Sequence, residues 1–536
     1  MLKLLTVNNL GQAGYNSDIA KMDLGPEYLT YAENFRIDRA SLETFGGTIV
    51  SIDPPDDGDS IGLLYAIRTT TENAWFILGQ HSIYQFDGNL WVNVSPENED
   101  GDPIDLNLSA GREVLWTGCV IGKTVFFNHP DIGPLYATIG SDVGSFQDLP
   151  FTFGDPAQGI PPATFREVGI FFEVMRSHKN FLFGFALTEG GNFFGDSYRW
   201  SHPADENGIP FTWDESDLSS LAGRASLGGD GGQIIDGLSM RDSLFIYSQD
   251  SIDFLAFTGG DFVWQRNRLS SIVGLLSKDC VVEVKGVHYL MVDGDIVKND
   301  GTNITSIIHN RIQKEFNSSA NAESLTTSFS LRNDSKKEIW FCIPEGESTF
   351  PTKAYVYNWR DDTWYLKDFS PAIVSGASGV RPVDKDTWEE MSSTWENETR
   401  QWASGRATSI NDTLIGVYSD GTLIEIDPTG NIDEDGFNTV LERTDYPLEG
   451  NRVNNTVVRV YPHISSSGNV LIQVGSQQFP GDSVNWEDAQ TFDPNTQRKL
   501  DVRTTGELFC WRVTSIEQSR FRLSGMDFEY ANAGVR

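Results

Sequence analysis

The chain has 536 residues, 76 acidic against 40 basic, for a formal charge of −36, and is 39% hydrophobic and 12% aromatic. That length predicts two or three domains, and that apolar content excludes a disordered chain. The acids are scattered, which argues against a tight, counterion-releasing grip on nucleic acid, since that needs clustered Lys and Arg. DNA could still slide past.

Residues 1–60 differ in pattern from the rest of the chain and read as an N-terminal arm or platform. Their apolar patch, Leu2 with Leu4-Leu5, is too short for a signal peptide. No apolar run reaches the roughly 18 residues of a membrane span. A soluble product made in the cytoplasm is expected. Pro54 to Asp59 is a polar break.

From 61 to 430 one unit recurs: an aromatic strand, an Asp-Gly-type turn and a returning strand. Ile83–Phe86 turns at Asp87-Gly88 and returns through Trp91; Ile296-Val297 leads to Asp300-Gly301 and Ile304. Tyr355–Trp359 turns before Thr363-Trp364, and Leu414–Tyr418 turns at Asp420-Gly421. Asp-Gly predicts type I′ turns with positive φ at both central residues. Repeated hairpins without long helices predict a mainly β fold, a β-propeller of six or seven irregular blades. Inserted loops are expected at 96–110, 146–165, 222–232 and 371–403. The last holds Trp388, Trp395 and Trp402 at intervals of seven. That loop packs on itself, the commoner case, or docks a partner.

After 430 the strands alternate apolar and polar, as in Val457–Ile464, Val470–Val474, Leu508–Val513 and Phe521–Tyr530. Residues 431–536 therefore read as a C-terminal antiparallel β-sandwich-like domain.

No catalytic motif emerges. There is no Gly-x-Ser-x-Gly elbow, phosphate loop or His-Glu-x-x-His. Cys119, Cys280, Cys342 and Cys510 lie far apart with no zinc-ligand spacing; Cys119, Cys342 and Cys510 sit in apolar strands and read as core residues in a reducing compartment. Asp293, Asp295 and Asp300 lack EF-hand spacing and read as hairpin acids. His288 sits in a strand and reads as a core or edge histidine. No enzyme, cofactor or metal is called for.

The order of several segments resembles the tail nozzle, or tail tubular (packaged-DNA-stabilising), proteins of short-tailed bacteriophages. The segments are Phe245–Ile252, Phe262–Gln265, Gly274–Ser277, Val281–Leu290, Asp293–Ile296, Glu338–Phe341 and Ala354–Trp359 with Thr363-Trp364. The Thr-Trp repeat of 387–402 is similar, as is the opening Leu24–Tyr28 with Ala32–Arg36 and Gly46-Gly47. The strongly acidic balance departs from the family's usual look. The resemblance implies a structural virion protein. Copies would form a ring, a hexamer, around the DNA exit channel below the portal and its adaptor. They would retain packaged double-stranded DNA without binding it tightly, pass it during ejection, and carry tail fibres or spikes. The alternatives are a propeller-type glycosidase and a receptor-binding adhesin.

Overall fold

The computed structural model describes all residues except 1, 9, 11–12, 39–40, 56–57, 69–72, 88–89, 140–143, 155–161, 218, 230, 260–262, 381–411, 428–438, 450–452, 517–519 and 536. Its body is a seven-bladed β-propeller, each blade a four-stranded antiparallel sheet. Blade 1 runs from Ile61–Arg68 to Trp91–Asn93, blade 2 from Thr117–Ile121 to Gln147–Asp148, and blade 3 from Ile170–His178 to Gly223–Ser226. Blade 4 runs from Ile234–Met240 to Trp264–Ser270 and blade 5 from Val281–Val284 to Ile304–Ser306. Blade 6 runs from Phe329–Asn333 to Thr363–Asp368, and blade 7 starts at Ile373–Val380. First strands of successive blades pack side by side, and that of blade 7 meets that of blade 1.

Blade 7 is completed from the other end of the chain. Its outermost strand is Thr48–Ile52, paired antiparallel with Leu423–Ile426. The ring is thus closed by hydrogen bonds, not only by side-chain packing. The segment 1–60 is accordingly no separate arm. Its strands are too short to bury a core of their own, and they are spent on two larger sheets. Leu2–Asn8 and Ser41–Thr44 both pair with Phe521–Val535. Tyr31–Glu33 lies between blade 6 and Val440–Pro447, joining propeller and C-terminal module in one continuous sheet.

The C-terminal module has two sheets. One holds Leu500–Gly506, Val453–Ser466 and Phe521–Val535 with the N-terminal strands. The other runs through Val440–Pro447, Leu508–Ser515 and Val470–Gln477. Phe35, Ile37, Leu42 and Phe45 are buried in the same core as Trp340, Tyr365 and Phe528.

The turns differ from expectation. In the turns at Asp300-Gly301 and Asp420-Gly421 only the glycine takes positive φ, +93° and +88°. The aspartate instead accepts the N–H two residues on, from Thr302 and Thr422, each at 2.8–2.9 Å. The side chain mimics a backbone turn, so the left-handed residue is needed once rather than twice. Gly88 lies outside the described residues.

Candidate functional site

The first strands of the blades line the propeller axis. Arg176, a lone cation in the apolar first strand of blade 3, reaches across it. Its Nε and Nη2 donate to the two oxygens of Asp236 in blade 4, at 2.7 and 2.8 Å. Nη2 also donates to Asp279 before blade 5 at 2.7 Å, and Nη1 to Gly118 O in blade 2 at 3.2 Å. Asp236 accepts the N–H groups of Gly237 and Asp279 as well. One guanidinium therefore ties four blades. Burial would lower the Arg176 pKa, but Asp236 and Asp279 outweigh it and hold it well above its ordinary value. Burial would raise Asp279, yet Arg176 and Lys278 keep it below the usual carboxylate range. Such a pair is costly to desolvate and costly to break.

Two spaces meet at Asp279. One, of about 570 Å³, is reached by Leu63, Glu173, Ile235, Lys278, Ser330 and Val374. The other, of about 300 Å³, is bordered by Arg176 and Asp236 of the lock and by Cys119, Ser177 and Ser239. Lys278 donates to Trp116 O at 2.7 Å, and burial lowers its pKa. Burial raises that of Glu173, with Arg112 opposing.

A second ionic centre sits where the opening segment meets the propeller. Arg36, 5% exposed, donates through Nε to Glu338 Oε1 and through Nη2 to Oε2, the latter at 3.0 Å. Nη1 pairs with Asp427 at the end of blade 7. Glu338 also accepts from Tyr365 Oη at 2.5 Å and Trp340 Nε1 at 3.1 Å. Asp427 accepts the Gly46 N–H at 2.7 Å. Asn34, with φ of 58°, donates its N–H to Leu366 O and accepts the Asp368 N–H through its side chain. This left-handed turn aims Arg36 into blade 6.

Most residues singled out in the sequence serve the fold. Trp388, Trp395 and Trp402 lie outside the described residues. Of 371–403, residues 373–380 are the first strand of blade 7, not loop. Likewise Gly223–Ser226, inside 222–232, is the outer strand of blade 3, because it pairs with Ser197–Trp200. Loop 96–110 is pinned to blade 1 by Leu106 N to His81 O and Leu108 N to Gln80 O. In 146–165, Phe146, Leu149, Phe151 and Phe165 are buried. His288 is fully buried: Nε2–H donates to Ser239 O at 3.0 Å and Nδ1 accepts from Tyr247 Oη at 2.6 Å. Asp295 and Asp300 are occupied in their turns. The four cysteines are buried and free. The axial lock is not foreseen from the sequence; its one signal there is Arg176 itself, a charge within Ile170–His178.

No family model matches the chain, and no curated protein does. Among solved structures it is similar to the extracellular domain of a hybrid two-component system from B. thetaiotaomicron, at 11% identity and a TM-score of 0.37. That match covers 83% of this chain and 47% of the other, so the chain spans about half its length. U3-55K matches at 9% identity and a TM-score of 0.35, over 70% of this chain and 100% of that one. The WD40 repeats of RRP9 match at 9% identity and 0.34, over 70% and 99%.

Proposed function

We propose that the chain is a tail nozzle subunit of a short-tailed bacteriophage, a structural protein whose copies ring the DNA exit channel. The observation that carries this reading is where the resembling segments meet. Arg36 of the opening Ala32–Arg36 donates to Glu338 of Glu338–Phe341, Asn34 bonds Leu366 and Asp368 just past Thr363-Trp364, and Gly46 donates to Asp427, the other partner of Arg36. Segments more than 300 positions apart thus form one joint.

In this reading DNA runs between copies, not along a propeller axis. The lock crosses that axis, and the chamber of about 570 Å³ cannot admit a duplex whose major groove alone is about 12 Å wide. At −36 per copy the ring repels phosphates and keeps DNA from adhering. Two charges 4 Å apart in water repel by about 1 kcal/mol, and screening sets in beyond about 8 Å. Neighbouring copies join head to tail, as closed rings require. The edge strand Leu2–Asn8, with Leu2 and Leu4 exposed, offers one such surface. Portal adaptor and fibres or spikes are the expected partners, and the virion tail the expected location.

The test is light scattering on purified protein followed by electron-microscope class averages, alone and with the adaptor. A six-fold ring with a central hole is expected. A subunit that stays monomeric even on the adaptor would overturn the reading and favour the glycosidase or adhesin.

A further inference from the structure

The larger axial space holds two polar groups that the fold leaves free. Glu173, in the first strand of blade 3, and Tyr65, in the first strand of blade 1, line it and are only partly buried. Neither the Glu173 carboxylate nor the Tyr65 hydroxyl has a hydrogen-bond partner among the described residues, and neither is closed off from solvent. Tyr65 also borders the smaller space, so it stands where the two meet. Burial lifts the Glu173 pKa. Arg112 opposes this only in part, because Asp131 already takes that guanidinium at 2.6 and 2.8 Å.

The neighbouring cations are all committed elsewhere. Lys278 pairs with Asp279 at 3.6 Å and donates to Trp116 O, and it acts on Glu173 only at a distance. Arg176 is shared by Asp236 and Asp279. Arg332, the other cation in the lining, faces Glu283 at 3.4 Å and Asp334 at 2.9 Å. Asp236, Asp279 and Glu173 are three carboxylates against Arg176 and Lys278, and Glu283 with Asp334 are two against Arg332. The surroundings of the chamber are therefore net negative, and Glu173 is the carboxylate without a partner. Leu63, Ile235, Leu276 and Val374 give the same lining partly exposed apolar faces. A charge beside such walls is screened less than in open water. The site thus suits a cation that carries its own apolar body, and its volume lies within the roughly 300–1,000 Å³ usual for small-molecule sites.

We infer that the axial chamber binds a small organic amine, a primary ammonium on an apolar body, with Glu173 taking the charge and Tyr65 supplying a further hydrogen-bond acceptor. This rests on the propeller axis alone and holds for a monomer or a ring.

The test is calorimetric titration of the full chain at pH 7 and physiological salt with three probes of one shape: phenethylamine, 2-phenylethanol and 3-phenylpropionate. The amine is expected to bind once per chain, about tenfold more tightly than the alcohol, and the carboxylate not at all. Glu173→Gln keeps the shape and should bring the amine down to the level of the alcohol. Tyr65→Phe keeps the ring against Gly118 and Phe127 and should weaken amine and alcohol alike. Asp493→Asn, which removes an exposed turn acid of the C-terminal module, should change nothing and so separates a site from general attraction to an acidic chain. Circular dichroism confirms the fold of each variant. No binding of the amine, equal binding of amine and alcohol, or an amine preference that survives Glu173→Gln would overturn the inference. So would affinities that Tyr65→Phe leaves unaltered, or a preference that Asp493→Asn lowers as much as Glu173→Gln does.

Discussion

Replacing Arg36 by Met should loosen the joint between the opening segment and the propeller. Arg36 is the cation shared by Glu338 and Asp427, whose side chains are 0% and 7% exposed. After the change Glu338 retains the Tyr365 hydroxyl and the Trp340 indole N–H. These satisfy oxygens but do not balance a charge. Breaking a buried pair from one side costs about 3–5 kcal/mol, and two stranded carboxylates put the loss at the upper end. If arm and propeller, roughly 430 residues, melt together at about 2.1 cal/mol/K per residue, the midpoint falls by about 5 °C at pH 7. Tryptophan fluorescence reports it, Trp340 being one of the chain's fourteen tryptophans and a hydrogen-bond donor to Glu338. Arg36→Met with Glu338→Gln should lose less than the sum of the single changes by about 2 kcal/mol. A midpoint shift below about 1 °C, or strict additivity, would refute the reasoning.

His178 and His288 should make the propeller acid-sensitive. Burial lowers both pKa values from 6.5 to about 4. The unfolded chain therefore binds the extra protons, and stability is lost as pH falls from about 6.5 toward 4. Linkage gives roughly 2 kcal/mol per histidine between pH 7 and pH 5. His288→Gln should flatten the dependence of the melting midpoint on pH; an unchanged slope argues against it. Arg176→Met should destabilise by about 3–5 kcal/mol and open the axis between the two chambers; xenon or hydrogen exchange at Gly237 and Asp279 would register the opening, and unaltered exchange would count against the lock. Ile49→Pro should weaken closure of blade 7, whose strand pairs Ile49 with Glu425. Limited proteolysis would then cut near residues 412–426, and undiminished resistance would speak against a closing role. If the tryptophan loop docks a partner, removing 381–411 should spare folding and lose that partner; a chain that no longer folds would mean the loop packs on its own subunit.

The propeller was legible because its signal is local. Hairpins such as Tyr355–Trp359 with Thr363-Trp364 announce both strands and their pairing within a dozen residues. What was illegible depends on distance along the chain. Nothing in Thr48–Ile52 shows that it completes a sheet with Leu423–Ile426, so neither the count of seven blades nor the fate of the opening segment could be read. The same holds for Tyr31–Glu33, whose neighbours are Leu366 and Val440. Gly223–Ser226 was hidden by its glycine-rich flank and is strand only because blade 3 offers an edge. His288 read as a core or edge histidine from its strand, and of those two it is core, fully buried. The axial lock left one visible mark, Arg176; its partners Asp236 and Asp279 look like ordinary turn acids until the blades bring them together.

The closing strand also sets a clock on synthesis. Thr48–Ile52 leaves the ribosome early, yet its partner Leu423–Ile426 emerges about 370 residues later, which at 5–20 residues per second is a delay of roughly 20–75 s. Through that interval the nascent chain holds an unpaired apolar strand, and six blades stand without their seventh. The toroid therefore completes only once Leu423–Ile426 has emerged, and the wait exposes a sticky edge to other chains. Faster translation, or a chaperone that covers the early strand, would raise the yield of closed molecules without altering their final stability.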